Sequence, residues 1–275
     1  MLDGMYIELH RTFHRLQERS ESEDYSLFAN GQSLNWVDLN ELYRVVILSE
    51  AGSGKTEEIR NTTQQIRAKG KPAFFIRLEH MATDFECAFE EGSFAEFQAW
   101  KATDAEGWLF LDSVDESRLK NPSDFNLAIS RLGVQLGTAK QRLHIVITSR
   151  TSAWRSATDL DLCSKHLAVN PKQGKFEIVT LGELTAKQVE IFITAKGVKN
   201  TQLFLNAIER TDAWSFTSRP QDLAELTEFW NIHDRILIRH ELFMKRRKRL
   251  WGRRSIFSPA PVFAQASSCA QWQQP

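Results

Sequence analysis

An apolar run that breaks into a glycine-bearing turn and then into a polar, glycine-free stretch leaves a chain few ways to fold. Residues 44–48 (RVVIL) lead into Ser49, Glu50, Ala51, Gly52, Ser53, Gly54, Lys55 and Thr56, and the stretch 55–69 stays free of glycine until Gly70. The turn follows the phosphate-loop pattern GxxxxGK[ST], with Ser49 where the first glycine is usual. The chemistry demands this spacing. Gly52 and Gly54 allow positive φ and put no Cβ in the way of a phosphate. Consecutive N–H groups can then point inward as an anion-binding nest, with a helix N-terminus from Lys55 adding partial positive charge. Lys55 is placed to reach the β and γ phosphates of a nucleotide, and the Thr56 hydroxyl to ligate Mg²⁺. Ala51, Gly52, Ser53, Gly54, Lys55 and Thr56 are therefore the expected nucleotide-binding residues. Ser49 in place of glycine narrows the backbone freedom of the loop but removes no chemical group.

Further runs fit strands buried on both faces: 72–78 (PAFFIRL), 108–111 (WLFL), 144–148 (HIVIT) and, more weakly, 175–181 (KFEIVTL). Their apolar residues are continuous rather than alternating, as in a parallel sheet. Helical stretches fall between them at 55–69 and at 123–137, the latter following Pro122. Alternating strands and helices predict an α/β, doubly wound parallel sheet. After about Gly182 the pattern turns helical, at 185–196, 202–210, 220–230 and 236–251. The expected organisation is an N-terminal extension (1–43), a nucleotide-binding core (44–183), a helical lid (184–244) and a disordered basic and uncharged end (245–275).

Two strand ends carry further chemistry. The strand 108–111 ends in Asp112, Ser113, Val114, Asp115 and Glu116. Asp112 stands at a strand C-terminus, where ligands bind in open α/β sheets, and is the expected second holder of Mg²⁺. Asp115 or Glu116 is positioned to activate water for attack on the γ-phosphate. The strand 144–148 ends in Thr148, Ser149 and Arg150. If it neighbours the phosphate-loop strand, Thr148 or Ser149 can bond the attacking water and Arg150 can stabilise charge in the transition state. Arg155 is a weaker alternative to Arg150.

The order GSGKT, a strand without a catalytic motif, WLFLDSVDE, then ITSR resembles the NACHT-type P-loop NTPases of the STAND (signal transduction ATPase) class. Asp112, Ser113, Val114, Asp115 and Glu116 match their second motif residue by residue, and Thr148, Ser149 and Arg150 match their sensor segment, with Thr151 where a proline often follows. The segment 218–223 (SRPQDL) is similar to the part of the helical subdomain that carries an adenine-packing proline, here Pro220. The resemblance spans about 44–230. It implies a central phosphate-loop strand, an extra strand (PAFFIRL) between the two motifs, and a slow ATP-driven switch that self-associates on nucleotide binding. Bacterial relatives of this kind serve as sensors in phage defence and continue into a winged-helix module and a repeat sensor. This chain ends before either could fit.

Charge qualifies this picture. The total is zero, with 35 basic and 35 acidic residues, but 245–254 (KRRKRLWGRR), from Lys245 to Arg254, holds seven basic residues in ten. Residues 1–244 carry 28 basic against 35 acidic residues, a net of −7. The basic run makes a nucleic-acid-associated ATP-binding adaptor an alternative function. A nucleotide-binding regulator without turnover is a third, independent of that run. Cys87, Cys163 and Cys269 have no disulfide or zinc spacing. No apolar run reaches the roughly 18 residues that span a bilayer, so no membrane partner and a cytoplasmic location are expected. His10 and His14 have i, i+4 spacing but no third ligand, and are expected on a helix face. The acidic, phenylalanine-rich stretch 84–97 is expected as a loop and helix covering the sheet.

Overall fold

The structure is a computed structural model that describes residues 6–18, 25–26, 33–81, 84–112, 114, 123–168 and 175–236. Its centre is a seven-stranded sheet in the order β1-β9-β4-β8-β7-β5-β6. Five of these strands run parallel: β4 (Arg44–Ser49), β5 (Ala73–Arg77), β7 (Gly107–Asp112), β8 (Leu143–Arg150) and β9 (Glu177–Leu181). The edges are antiparallel, β1 (Phe13–Arg15) on β9 and β6 (Phe89–Glu91) on β5. A separate ribbon pairs β2 (Gln17–Glu18) with β3 (Tyr25–Ser26).

The continuous apolar runs are explained by packing on both faces. Val46, Leu48, Phe74, Ile76, Leu109, Leu111, Ile145 and Ile147 share one core. It is covered by α3 (Leu78–Met81), α4 (Phe94–Lys101), α5 (Asp124–Leu136) and α6 (Ser156–Leu167). Their immediate neighbours Val45, Ile47, Phe75, Phe110 and Val146 face the opposite core, covered by α2 (Lys55–Ala68) through Ile59 and Ile66 and by α1 (Trp36–Asn40) through Leu39. Each large side chain fully buried in this way contributes about 1.5–3 kcal/mol.

The chain then forms α7 (Ala186–Ala195), α8 (Thr201–Arg210) and α9 (Pro220–His233), which share a third core of Val189, Phe192, Phe204, Leu223 and Trp230. Thr185 starts α7 with a capping box closed by Gln188. The Gln188 amide also donates to the Leu9 and His10 carbonyls, at 2.8 and 3.1 Å. Leu9 sits in the helical core while Phe13 sits in the sheet core. The segment before β4 thus enters both units.

Three local readings differ from expectation. His10 and His14 are not helical: His10 has φ +47°, and His14 lies in β1, because Phe13 pairs with Leu181 across the sheet edge. The stretch 84–97 gives an edge strand as well as a helix, since Phe75 and Ile76 offer β6 an open ladder. Phe74, Phe85, Phe89 and Phe97 then pack ring to ring beneath it. Helix α6 was not legible in the sequence. It is short of apolar residues, and only one face is buried, by Cys163 and Leu167 among others. The helix expected at 236–251 lies outside the described residues but for Ile236.

Candidate nucleotide site

The site forms where β4 and β8 end side by side. Their register sets Ile47 opposite Thr148 and Ser49 opposite Arg150. In the chain β5 lies between the two motif strands, but in space β8 lies between β4 and β7. Asp112, at the end of β7, thus reaches the end of β8 and the first turn of α2. Asp112 is only 1% exposed. Its carboxylate accepts a 2.7 Å bond from the Thr56 hydroxyl, in the first turn of α2, and a short bond from the Thr148 hydroxyl at the end of β8.

The turn from β4 into α2 uses its glycines as expected, with φ +77° at Gly52 and +89° at Gly54. A Cβ at Gly52 would stand 2.7 Å from Gln221 Oε1, so the loop and the start of α9 are in close contact. Ser49, the departure from pattern, puts its hydroxyl 2.7 Å from that of Ser53 and so ties the two ends of the turn. Lys55 Nζ donates to the Ser49 and Glu50 carbonyls at 3.0 and 3.2 Å. Pro220 opens α9 and lies against the loop, its Cγ 3.5 Å from where a Gly54 Cβ would be. Arg150 is half-buried at the loop's edge, whereas Arg155 is exposed at the start of α6. Ala51 accepts a long 3.4 Å bond from Arg219. Asp115, Glu116 and the run 245–254 lie outside the described residues.

A cavity of about 460 Å³ adjoins the loop, within the range of small-molecule sites. Ser49 and Ser53 form one side, and Arg11, His14, Gly182 and Ser218 contribute to the others. Sequence reasoning missed the N-terminal contribution. Arg11 is buried against the loop, and Glu58 of α2 is buried beside it, accepting from Tyr6 Oη at 3.1 Å and Trp36 Nε1 at 2.9 Å. Burial pushes the Glu58 carboxyl above its usual range, opposed by these hydrogen bonds and by Arg11. Burial likewise lowers Arg11 and raises Tyr6, the latter helped by Glu58. No spacing rule links a residue at position 11 to a loop at 52–54, so no sequence signal existed for this group.

Among the described residues no group of three or more His, Cys, Asp or Glu is placed to hold a metal ion. One buried carboxylate beside one hydroxyl still suits Mg²⁺, which keeps several waters and takes other ligands from phosphate. No described helix is long and apolar enough to cross a membrane.

The strand order, the glycine turn after β4 and the buried acid ending β7 are now together. By these three features the fold is that of a P-loop NTPase. No protein-family model and no curated protein matches the chain. Similar solved structures include a replication initiator DnaA bound to AMPPCP and single-stranded DNA, at 18% identity and TM-score 0.46, covering 77% of this chain and 61% of that one. The Aeropyrum pernix Orc1 protein in complex with DNA gives 13% identity and TM-score 0.44, covering 75% of this chain and 59% of that one. Domain III of the Thermotoga maritima DnaA gives 16% identity and TM-score 0.45, covering 74% of this chain and 83% of that domain. The chain thus spans less than two thirds of the length of the first two.

Proposed function

We propose that this chain binds Mg-ATP at the 49–56 loop and hydrolyses it slowly, as a nucleotide-dependent switch. The observation that carries this is Asp112, buried and bonded at once to Thr56 of the loop helix and Thr148 of the neighbouring strand. A carboxylate held in that position suits metal-assisted phosphoryl chemistry. Thr56 and Asp112 would hold Mg²⁺, which when bound neutralises charge on the phosphates. Lys55 would leave the Ser49 and Glu50 carbonyls to meet the β and γ phosphates. Thr148 would orient water and Arg150 would offset developing charge, with Asp115 or Glu116 as the base. Pro220 would flank the adenine.

The close approach of α9 to the loop supports a lid that responds to nucleotide. The motif order GSGKT, LDSVDE, TSR favours the NACHT type of the STAND class, with self-association on ATP binding and a setting in antiphage defence. Calorimetric titration with Mg-ATP tests the core of this reading. Lys55→Ala should abolish binding, and Glu116→Gln should retain binding but stop phosphate release. Binding unchanged in Lys55→Ala would overturn it, and turnover unchanged in both Asp115→Asn and Glu116→Gln would remove the catalytic assignment.

A second reading, nucleic acid held by 245–254, is favoured by seven basic residues in ten. It requires binding that weakens steeply with salt and is lost when that run is neutralised.

A further inference from the structure

A loop that turns successive N–H groups inward turns its carbonyls outward, and those carbonyls need donors. Each carbonyl from position 49 to 53 has one. Lys55 Nζ serves Ser49 and Glu50, Arg219 serves Ala51, the Gln221 N–H serves Gly52 at 3.2 Å, and Arg11 Nη1 serves Ser53 at 2.9 Å. Two of these donors belong to the start of α9, and one comes from the segment before β1.

Arg11 stands apart from the others. It is 2% exposed. Its Nη2 donates to the Gly182 carbonyl at 2.6 Å, where the chain leaves β9 for the helical subdomain. Its Nε is buried without a hydrogen-bond partner among the described residues. A planar, five-donor group is thus committed to two carbonyls that are far apart in sequence. The Ser53 carbonyl and the Gly54 N–H belong to one rigid peptide plane and point in opposite directions. Holding that carbonyl outward holds the Gly54 N–H inward, toward the phosphate position.

We propose that Arg11 is a positioning residue for the phosphate loop: one guanidinium sets the Ser53–Gly54 peptide and ties it to Gly182 at the root of the helical subdomain. The proposal rests on the nucleotide reading above. It makes the N-terminal segment part of the site, so that a force or partner acting on that segment changes nucleotide affinity.

The test uses the full chain with Arg11→Lys and Arg11→Ala, titrated with Mg-ATP, alongside thermal unfolding and amide hydrogen exchange of 50–56. Lysine keeps the charge but reaches only one carbonyl, so it should not rescue. Both variants should bind Mg-ATP about tenfold or more weakly, a change of one decade in Kd. Exchange at the loop amides should quicken while amides in the sheet stay protected. If Arg11→Ala does not fold, Arg11→Lys carries the test alone. Wild-type affinity in a folded variant overturns the proposal. So does an affinity loss with unchanged loop exchange and a lowered melting temperature, which marks a purely structural tie. If the wild type itself binds no Mg-ATP, the nucleotide reading falls first and this proposal falls with it.

Discussion

At the scale of single residues, buried polar groups separate into those answered by partners and those left short. Asp112 is answered twice, by Thr56 and Thr148, and so is held in one orientation. His144 is left short. It lies between the Tyr43 and Trp108 rings, at centroid distances of 4.3 and 4.9 Å, and its Nδ1 bonds the Leu42 carbonyl at 3.0 Å. Its Nε2 is buried with no hydrogen-bond partner among the described residues. Burial lowers the His144 pKa from its ordinary value of 6.5, so the folded state resists the proton that the unfolded chain accepts. The contribution to stability is therefore full above the unfolded pKa and declines as pH falls below about 6.5. Melting temperature followed from pH 7 to pH 5 should drop less steeply in His144→Phe, which keeps a flat ring between its neighbours and cannot titrate. An equal slope in both proteins would mean that this imidazole does not govern the acid side.

At the scale of elements, the phosphate loop and α9 behave as one unit. Gly52 needs its missing Cβ for two reasons, a φ of +77° and the 2.7 Å approach of Gln221 Oε1. Gly52→Ala should cost about 1–2 kcal/mol from the left-handed backbone alone, measured by urea denaturation. Gln221 can swing its amide aside, but its Cβ would also stand within 3.1 Å of the new methyl. The start of α9 should therefore shift from the loop, and Mg-ATP affinity should fall together with stability. Loss of stability without loss of affinity would uncouple the two elements.

At the scale of the whole molecule, the segment from Tyr6 to Leu16 joins two hydrophobic cores. Leu9 packs in the helical core, and Phe13, fully buried, packs in the sheet core 4.9 Å from the Trp36 ring. The same segment carries Arg11 to the loop and β1 to the sheet edge. Phe13→Ala should cost about 3–5 kcal/mol, read as a lower denaturation midpoint. Because Arg11 lies two residues away, nucleotide affinity should weaken in the folded fraction as well. Retention of wild-type stability would show that the segment is an appendage rather than part of the fold.

What the sequence determined alone was local. RVVIL followed by SEAGSGKT specified a strand, a turn with two positive-φ glycines and a helix, because the chemistry of that turn is written in adjacent residues. The five parallel strands were legible from their unbroken apolar runs, since burial on both faces removes any need for alternation. Asp112 and Thr148 were legible as strand-end polar residues, but not as partners. Only the tertiary structure decided that β8 sits between β4 and β7, that an acidic stretch adds strand β6, and that Arg11 and Gln221 donate to the Ser53 and Gly52 carbonyls of the loop. The reason is physical. A hydrogen bond across 42 residues, as between Arg11 and Ser53, depends on how separate elements pack. Neither propensity nor periodicity carries that information along the chain.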